Sequence, residues 1–245
     1  YGLVGSEMCI RDRDKYNRNE IAKCYWNSRS IVDEFTEAKE PIYWRSFFET
    51  IKYPESLTVL DLGCGGGRNT YMLAELGFRV EACDLHENML KATWMKIQKL
   101  NSLKRNKIHI QKANMLKLPY ETESLDIILS NGIYHNTSSV DEFEQAIRES
   151  ARILKKGGLL CLNVFSNAYI DETLNKQTEE FLFVTPDGLD MMLLPPIRIL
   201  DILNTVSIVP YNEIVSYESK INVGTRSVLR GIFCKKSVSY THLRA

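Results

Sequence analysis

Two rhythms of apolar and polar residues run along this 245-residue chain. Short apolar runs of strand length alternate with stretches where apolar residues return every three or four positions, the spacing of a helix with one buried face. Thr58–Leu62 (T-V-L-D-L) is the first clear strand, with Asp61 a lone carboxylate near its end. A glycine turn follows, then a helix over Thr70–Leu76 that Gly77 is placed to cap. Phe78–Leu85 (F-R-V-E-A-C-D-L) predicts a second strand ending at Asp84. Glu87–Leu103 predicts a helix with Leu90, Trp94, Ile97 and Leu100 as its core stripe. Asn106–Ala113 contains a third strand, with Ile108 and Ile110 on one face and His109 on the other; Leu125–Leu129 is a fourth. Ser139 and Glu142 predict a capping box opening a helix that places Phe143, Ile147, Ala151 and Leu154 on one face. Lys155 and Lys156 suit that helix's negative end, Gly157-Gly158 stops it, and Leu159–Phe165 is a continuous apolar strand fit for a central position.

Ahead of the first strand, Asp14–Glu40 predicts polar helices with aromatics around Arg18–Ser28 and Ile31–Ala38. Beyond Pro41, Ile42–Ile51 predicts a helix docked on the sheet. After Ser166 the alternation weakens. Phe181–Val184 and Leu189–Leu193 flank Thr185-Pro186-Asp187-Gly188 and predict a hairpin, and Pro195-Pro196 starts a helix. Val206–Lys220 and Ser227–Lys235 read as two long strands with no helix between them, hence antiparallel. The expected class is α/β: a Rossmann-like, doubly wound, mostly parallel seven-stranded sheet with an antiparallel last strand and helices on both faces. One domain is expected over residues 14–236, with an N-terminal helical lid (14–52) and a substrate-side insertion (167–196). Residues 1–13 and 237–245 lack periodicity, resemble translated sequencing-adapter read-through, and are set aside as non-native tails.

Composition changes this picture little. Lys+Arg and Asp+Glu both number 31, so no net charge drives non-specific binding to nucleic acid or an anionic membrane. The six cysteines form no C-x-x-C pair, and His86, His109, His135 and His242 are scattered, so no metal site is expected. Reduced cysteines and no apolar run of spanning length point to the cytoplasm.

The chemistry concentrates at Gly63–Gly67 (G-C-G-G-G). Four glycines in five residues are costly in backbone entropy, so either positive φ or a ligand against the main chain is expected there. Asp84 falls about twenty residues past the first strand's turn, where an acid can reach the hydroxyls of a ribose. In a parallel sheet such a ligand lies beyond the strands' carboxyl ends. A nicotinamide dinucleotide site prefers G-x-G-x-x-G, but Arg68 stands at the third glycine's place. An adenosyl amino acid, which carries no phosphate, suits the segment better.

With V-L-D-L-G-C-G-G-G, Asp84, Asn114-Met115-Leu116-Lys117-Leu118-Pro119, L-D-I-I-L-S-N-G-I-Y-H and R-I-L-K-K-G-G-L-L in succession, the chain resembles a class I S-adenosylmethionine-dependent methyltransferase over about Asp14 to Lys236. The G-R-N continuation is similar to that of small-molecule methyltransferases of the type 11 and type 25 groups. The resemblance implies S-adenosyl-L-methionine as cofactor. It implies that Gly63, Cys64, Gly65 and Gly67 frame the methionine portion and that Asp84 takes the ribose hydroxyls. Leu85 would pack on adenine, Met115 would cover the ring, and Asn114 would stand near the adenine amine. Ser130 and Asn131 would lie near the sulfonium and the amino-acid end. Asp61 would hold the turn or reach the amino group through water. Asn114 replaces the family's usual aspartate, and His86 replaces a common capping serine.

Methyl transfer is an in-line displacement from an activated donor, so positioning of the acceptor is the protein's main task. If a base is needed, His135 is the first candidate, with Tyr134 beside it; His135 as mere pocket wall stays open. Tyr25, Trp26 and Arg29 are candidate lid residues, with Arg29 facing a carboxylate of cofactor or substrate, or else a packed aromatic patch with a surface arginine. The expected function is methylation of an unidentified small molecule. A non-catalytic cofactor- or partner-binding module and a nicotinamide oxidoreductase remain as alternatives.

Overall fold

The computed structural model describes residues 18–221 and 224–237. The segment 1–13 and, except Ser237, the segment 237–245 lie outside the described residues, as do Cys9 and His242. Three helices, α1 (Arg18–Asn27), α2 (Arg29–Glu37) and α3 (Ile42–Glu49), precede strand β1 (Thr58–Leu62). Then come α4 (Arg68–Glu75), β2 (Arg79–Asp84), α5 (Glu87–Ile97), α6 (Ser102–Arg105), β3 (Ile108–Lys112) and β4 (Leu125–Asn131). They are followed by α7 (Val140–Ile153), β5 (Leu154–Ser166), and the short strands β6 (Asn175–Lys176), β7 (Leu182–Val184) and β8 (Asp190–Met192). The chain closes with α8 (Pro196–Thr205), β9 (Ile208–Pro210), β10 (Val215–Ile221) and β11 (Gly224–Lys235).

The main sheet runs β10-β11-β5-β4-β1-β2-β3, with β9 paired to the end of β11. Strands β1 to β5 pair in parallel, whereas β11 is antiparallel to both β5 and β10, as the absence of a helix between the last two strands required. Alternate residues of one strand enter different cores. Leu60, Leu62, Ile128, Leu160 and Leu162 pack under α7 and α8 with Phe143, Ile147, Ile199 and Leu203. Val59, Ile127, Leu129 and Cys161 pack on the other face with Trp44, Phe48, Met72 and Leu73. Burial on both faces is why these strands read as continuous apolar runs.

The insertion folds as a separate antiparallel sheet, β6-β7-β8, and its hairpin is the one expected from the Thr185–Gly188 turn. Gly77 (φ 105) ends α4 in a left-handed cap, with its N–H on Ala74 and that of Phe78 on Leu73. Four local expectations are corrected. The helix opening at Glu87 stops at Ile97, and α6 starts afresh behind Asn101, whose side chain accepts the Lys104 N–H. Its buried face is Met89, Ala92, Thr93 and Ile97, while Trp94 is 58 % exposed, because the Thr93 hydroxyl is drawn inward to the Gly65 carbonyl. Helix α7 ends at Ile153 rather than at Gly157-Gly158, since Leu154 already pairs with Leu125 of β4, and Lys155 holds Asp126 instead of the helix end. The span Val206–Lys220 is likewise broken, into β9 and β10.

Candidate active site

The sheet's order reverses at β1, between β2 and β4, and the crevice opens there. Leu62 is level with Cys83 on one side and with Ser130 on the other, so Asp84, Gly63 and Asn131 form the next row across three strand ends. At an interstrand spacing of about 4.8 Å, that row spans roughly 10 Å.

The glycine turn owes its composition to two demands. Gly63, Gly65 and Gly67 have φ of 72°, 52° and 79°. Gly66 instead faces α2: a Cβ there would lie 2.5 Å from the Phe35 carbonyl group and the Thr36 nitrogen. The turn is pinned from β2. The Cys83 carbonyl accepts the N–H groups of Gly63 and Cys64, and the Asp84 carboxylate accepts those of Gly65 (3.0 Å) and His86 (2.9 Å). Burial raises the Asp84 pKa against the pull of these N–H donors. Asp61 is fully buried one layer below; its Oδ2 accepts the Thr70 hydroxyl at 2.6 Å and ties β1 to α4. Burial pushes this carboxyl up to about 6. The Asn69 side chain and the Thr70 main chain favour its charge, yet neither reaches hydrogen-bond geometry with Oδ1.

A cleft of about 910 Å³ spreads over this row. Gly63, Cys64, Gly65, Asp84, Leu85, Asn114, Met115 and Asn131 all line it. Leu85 is half exposed and Met115 packs against the core beneath, leaving apolar surfaces on the side beyond Asp84. The Asn114 Oδ1 accepts the Leu116 N–H at 2.9 Å, which fixes the amide in an Asx turn. Asn131 accepts the indole N–H of buried Trp44 at 3.2 Å.

Helix α1 roofs the cleft and is fastened at both ends. Asn27 accepts the Asn88 N–H at 3.1 Å, and its carbonyl accepts the Asn88 side chain at 2.7 Å. Helix α5 has no side-chain cap from His86, so Asn27 supplies the missing acceptor from another element. At the far end Arg18 bonds Asp190 of β8 and Gln177, and Asp190 also accepts the Ser138 hydroxyl. Trp26 stands edge-on to Tyr25 and Phe35 and tilts over His86.

Several expected site residues lie elsewhere. Tyr134 is fully buried, bonds Ser150 at 2.7 Å and packs on Phe143, away from the cleft. His135 is buried too; its Nδ1 accepts the Phe165 N–H at 3.2 Å and its ring stacks on Phe165. Burial and the nearby Arg226 guanidinium push its pKa down to about 3. Neither Tyr134 nor His135 lines the cleft, so the structure places both catalytic candidates behind its wall. Ser130 is buried beneath the wall, and Gly67 backs onto Thr93 of α5. Arg29 is 95 % exposed and pairs with Asp33 on α2, so it faces no cleft ligand. Tyr25 braces Trp26 without lining the cleft. The roof contacts Arg18, Asn27 and Asp190 carried no motif, since each works only through a partner distant in sequence.

Residues 60–162 match the family model described as a methyltransferase domain. Over these residues the chain is similar to S-adenosylmethionine-dependent methyltransferases. It is 35 % identical over 114 residues to the ribosomal protein L11 methyltransferase of Campylobacter concisus, covering 46 % of this chain and 37 % of that one. It is 33 % identical over 130 residues to the ubiquinone/menaquinone biosynthesis C-methyltransferase of Escherichia fergusonii, covering 51 % and 49 %. The chain thus spans half or less of the length of these curated relatives. The crystal structure of the Burkholderia thailandensis 1,6-didemethyltoxoflavin-N1-methyltransferase, with its substrate and S-adenosylhomocysteine bound, shares the fold at a TM-score of 0.60 and 17 % identity over 91 % of this chain and 92 % of that one. The residues of the row fit S-adenosylmethionine: a carboxylate at one end, side-chain-free backbone in the middle, and an amide at the other. Among the described residues no helix is long and apolar enough to cross a membrane.

Proposed function

We propose that this protein transfers the methyl group of S-adenosylmethionine to a small-molecule acceptor. The observation that carries this reading is the Asp84–Gly63–Asn131 row beneath a cleft roofed by α1. Its volume, about 910 Å³, is near the upper end of the roughly 300–1,000 Å³ of small-ligand sites, which favours a cofactor and a small acceptor together. Arg18, Lys23, Arg68 and Lys112 on its walls are balanced by Glu20, Asp84, Glu87, Glu142 and Asp190, unlike a basic groove for RNA.

In this reading Asp84 accepts the ribose hydroxyls with the lone pairs its N–H donors leave free. Leu85 and Met115 sandwich adenine, and Asn114 accepts from its amine. The Gly63–Gly65 main chain passes the methionine portion, and Asn131 meets the amino-acid end. The cofactor, when bound, supplies an activated methyl group on a sulfonium. The chain's residues hold the acceptor in line, and the α1 roof with Trp26 keeps water out. With His135 stacked behind the wall, no histidine base is assigned. The N-terminal helices act as the lid, and the insertion holds it shut from the substrate side. A cytoplasmic setting accords with the free thiols of Cys24, Cys64, Cys83, Cys161 and Cys234.

Calorimetry with S-adenosylhomocysteine tests the cofactor site. Hydrogen bonds to a charged group are worth about 1.5–3 kcal/mol, so Asp84→Asn is expected to weaken binding at least tenfold. Unchanged affinity removes the ribose assignment. Labelled cofactor incubated with cell extract, and the label sorted among small molecules, RNA and protein, tests the acceptor class.

A further inference from the structure

Trp44 touches no part of the cleft, yet it decides what the cleft presents at the end of β4. Its indole nitrogen is a donor only, so the Asn131 atom 3.2 Å away must be the amide oxygen. Asn131 lines the cleft, and its NH2 group, turned away from the indole, offers two donors that make no hydrogen bond among the described residues. Trp44 is itself immobile. It is 1 % exposed, it sits in the core with Phe48 and Met72, and its ring stands edge-on to Tyr43. The amide is therefore locked with its donors outward. It sits one strand beyond Gly63 and two beyond Asp84.

We propose that Trp44 is a positioning residue that aims the Asn131 amide donors into the cleft, making a site for the carboxylate of the cofactor's amino-acid end. This rests on the cofactor reading above. A ligand whose sugar is held at Asp84 and whose tail crosses Gly63 reaches Asn131 after roughly 10 Å, the width of two strand spacings. A carboxylate is the oxygen acceptor that such a tail carries. Locking the amide in advance spares the cost of ordering a free rotor on binding.

Two nucleosides separate this site from the rest of the cleft: S-adenosylhomocysteine, which has the amino-acid end, and 5′-methylthioadenosine, which lacks it. Asn131→Asp keeps the indole bond through one oxygen and turns the other, acceptor-only, toward the cleft. Trp44→Phe keeps an aromatic ring in the core while removing the indole donor together with one ring of the side chain. Each is expected to weaken S-adenosylhomocysteine about tenfold and leave 5′-methylthioadenosine unchanged. Trp44→Phe in the Asn131→Asp background is expected to add little, since both act through one amide. The Asn131→Asp arm guards against a Trp44→Phe protein that fails to fold. Equal loss of both nucleosides, or loss of neither, overturns the proposal. Asp84→Asn is the control: if it weakens both nucleosides while the Asn131 and Trp44 variants match wild type, the cofactor site stands and the Trp44 role falls. If Asp84→Asn also changes nothing, the cofactor site falls and takes this proposal with it.

Discussion

Replacing Asp61 with asparagine should make the protein more stable and a poorer binder of its cofactor. Asp61 is fully buried, and its Oδ2 accepts one hydroxyl, that of Thr70, while Oδ1 has no partner. Burial lifts its pKa from 3.8 to about 6. At ~1.4 kcal/mol per tenfold in the proton equilibrium, the ionised side chain costs the fold about 3 kcal/mol above pH 6. The sign follows from linkage. The folded state holds this proton more tightly than the unfolded chain, so the associated stability is present below about pH 4 and lost as pH rises through about 6. Asparagine keeps an oxygen for Thr70 and carries no charge, so the variant is expected to gain up to about 3 kcal/mol at pH 8 and nothing near pH 4. His135 complicates the absolute curve. Its pKa is depressed to about 3, so its contribution is present above about 6.5 and lost as pH falls, a slope opposite to that of Asp61. The quantity to measure is therefore the difference between wild type and Asp61→Asn in urea unfolding from pH 4.5 to 8. A flat difference, or a destabilised variant at pH 8, refutes the reasoning. Calorimetry on the same variant should show weaker S-adenosylhomocysteine binding, because the negative charge beneath the turn is gone.

Three further outcomes are expected. The His135 imidazole should stay neutral down to pH 5, and an NMR titration midpoint above 5 would contradict its placement behind Phe165. Gly66→Ala should push α2 off the turn, because its Cβ would lie 2.5 Å from the backbone of Phe35 and Thr36; faster proteolysis within residues 18–40 and weaker cofactor binding would register this, and an unaltered digest would not. Arg18→Met removes a partly exposed ion pair, so stability should fall by no more than about 1 kcal/mol, while S-adenosylhomocysteine dissociates several-fold faster in stopped flow; an unchanged off-rate argues against α1 as the lid.

The strands and their order of appearance were written in local pattern. Val59–Leu62, Val80–Cys83 and Leu159–Phe165 announce buried strands because a residue shielded on both faces must be apolar whatever lies beside it. The glycine turn and Asp84 were equally legible, since positive φ and an acid at a strand end are properties of single positions. Helix limits and faces were less so: α7 stops where Leu154 pairs with distant Leu125, and the buried face of α5 is turned by the Thr93 hydroxyl reaching the Gly65 carbonyl.

Sequence alone therefore determined the class of the fold and picked out the residues at the ends of β1, β2 and β3 that line the cleft. Only the tertiary structure decided the rest: that His135 and Tyr134 face inward, that Arg18 reaches Asp190 while Arg29 pairs with Asp33 on its own helix, that Asn27 caps a helix not its own, and that the Trp44 indole bonds Asn131. The reason is physical. A periodic pattern fixes which residues leave water, but whether a polar side chain turns toward a cleft or into the core depends on which partner it meets there. Those partners lie 16 to 172 residues away along the chain, beyond the reach of any local pattern.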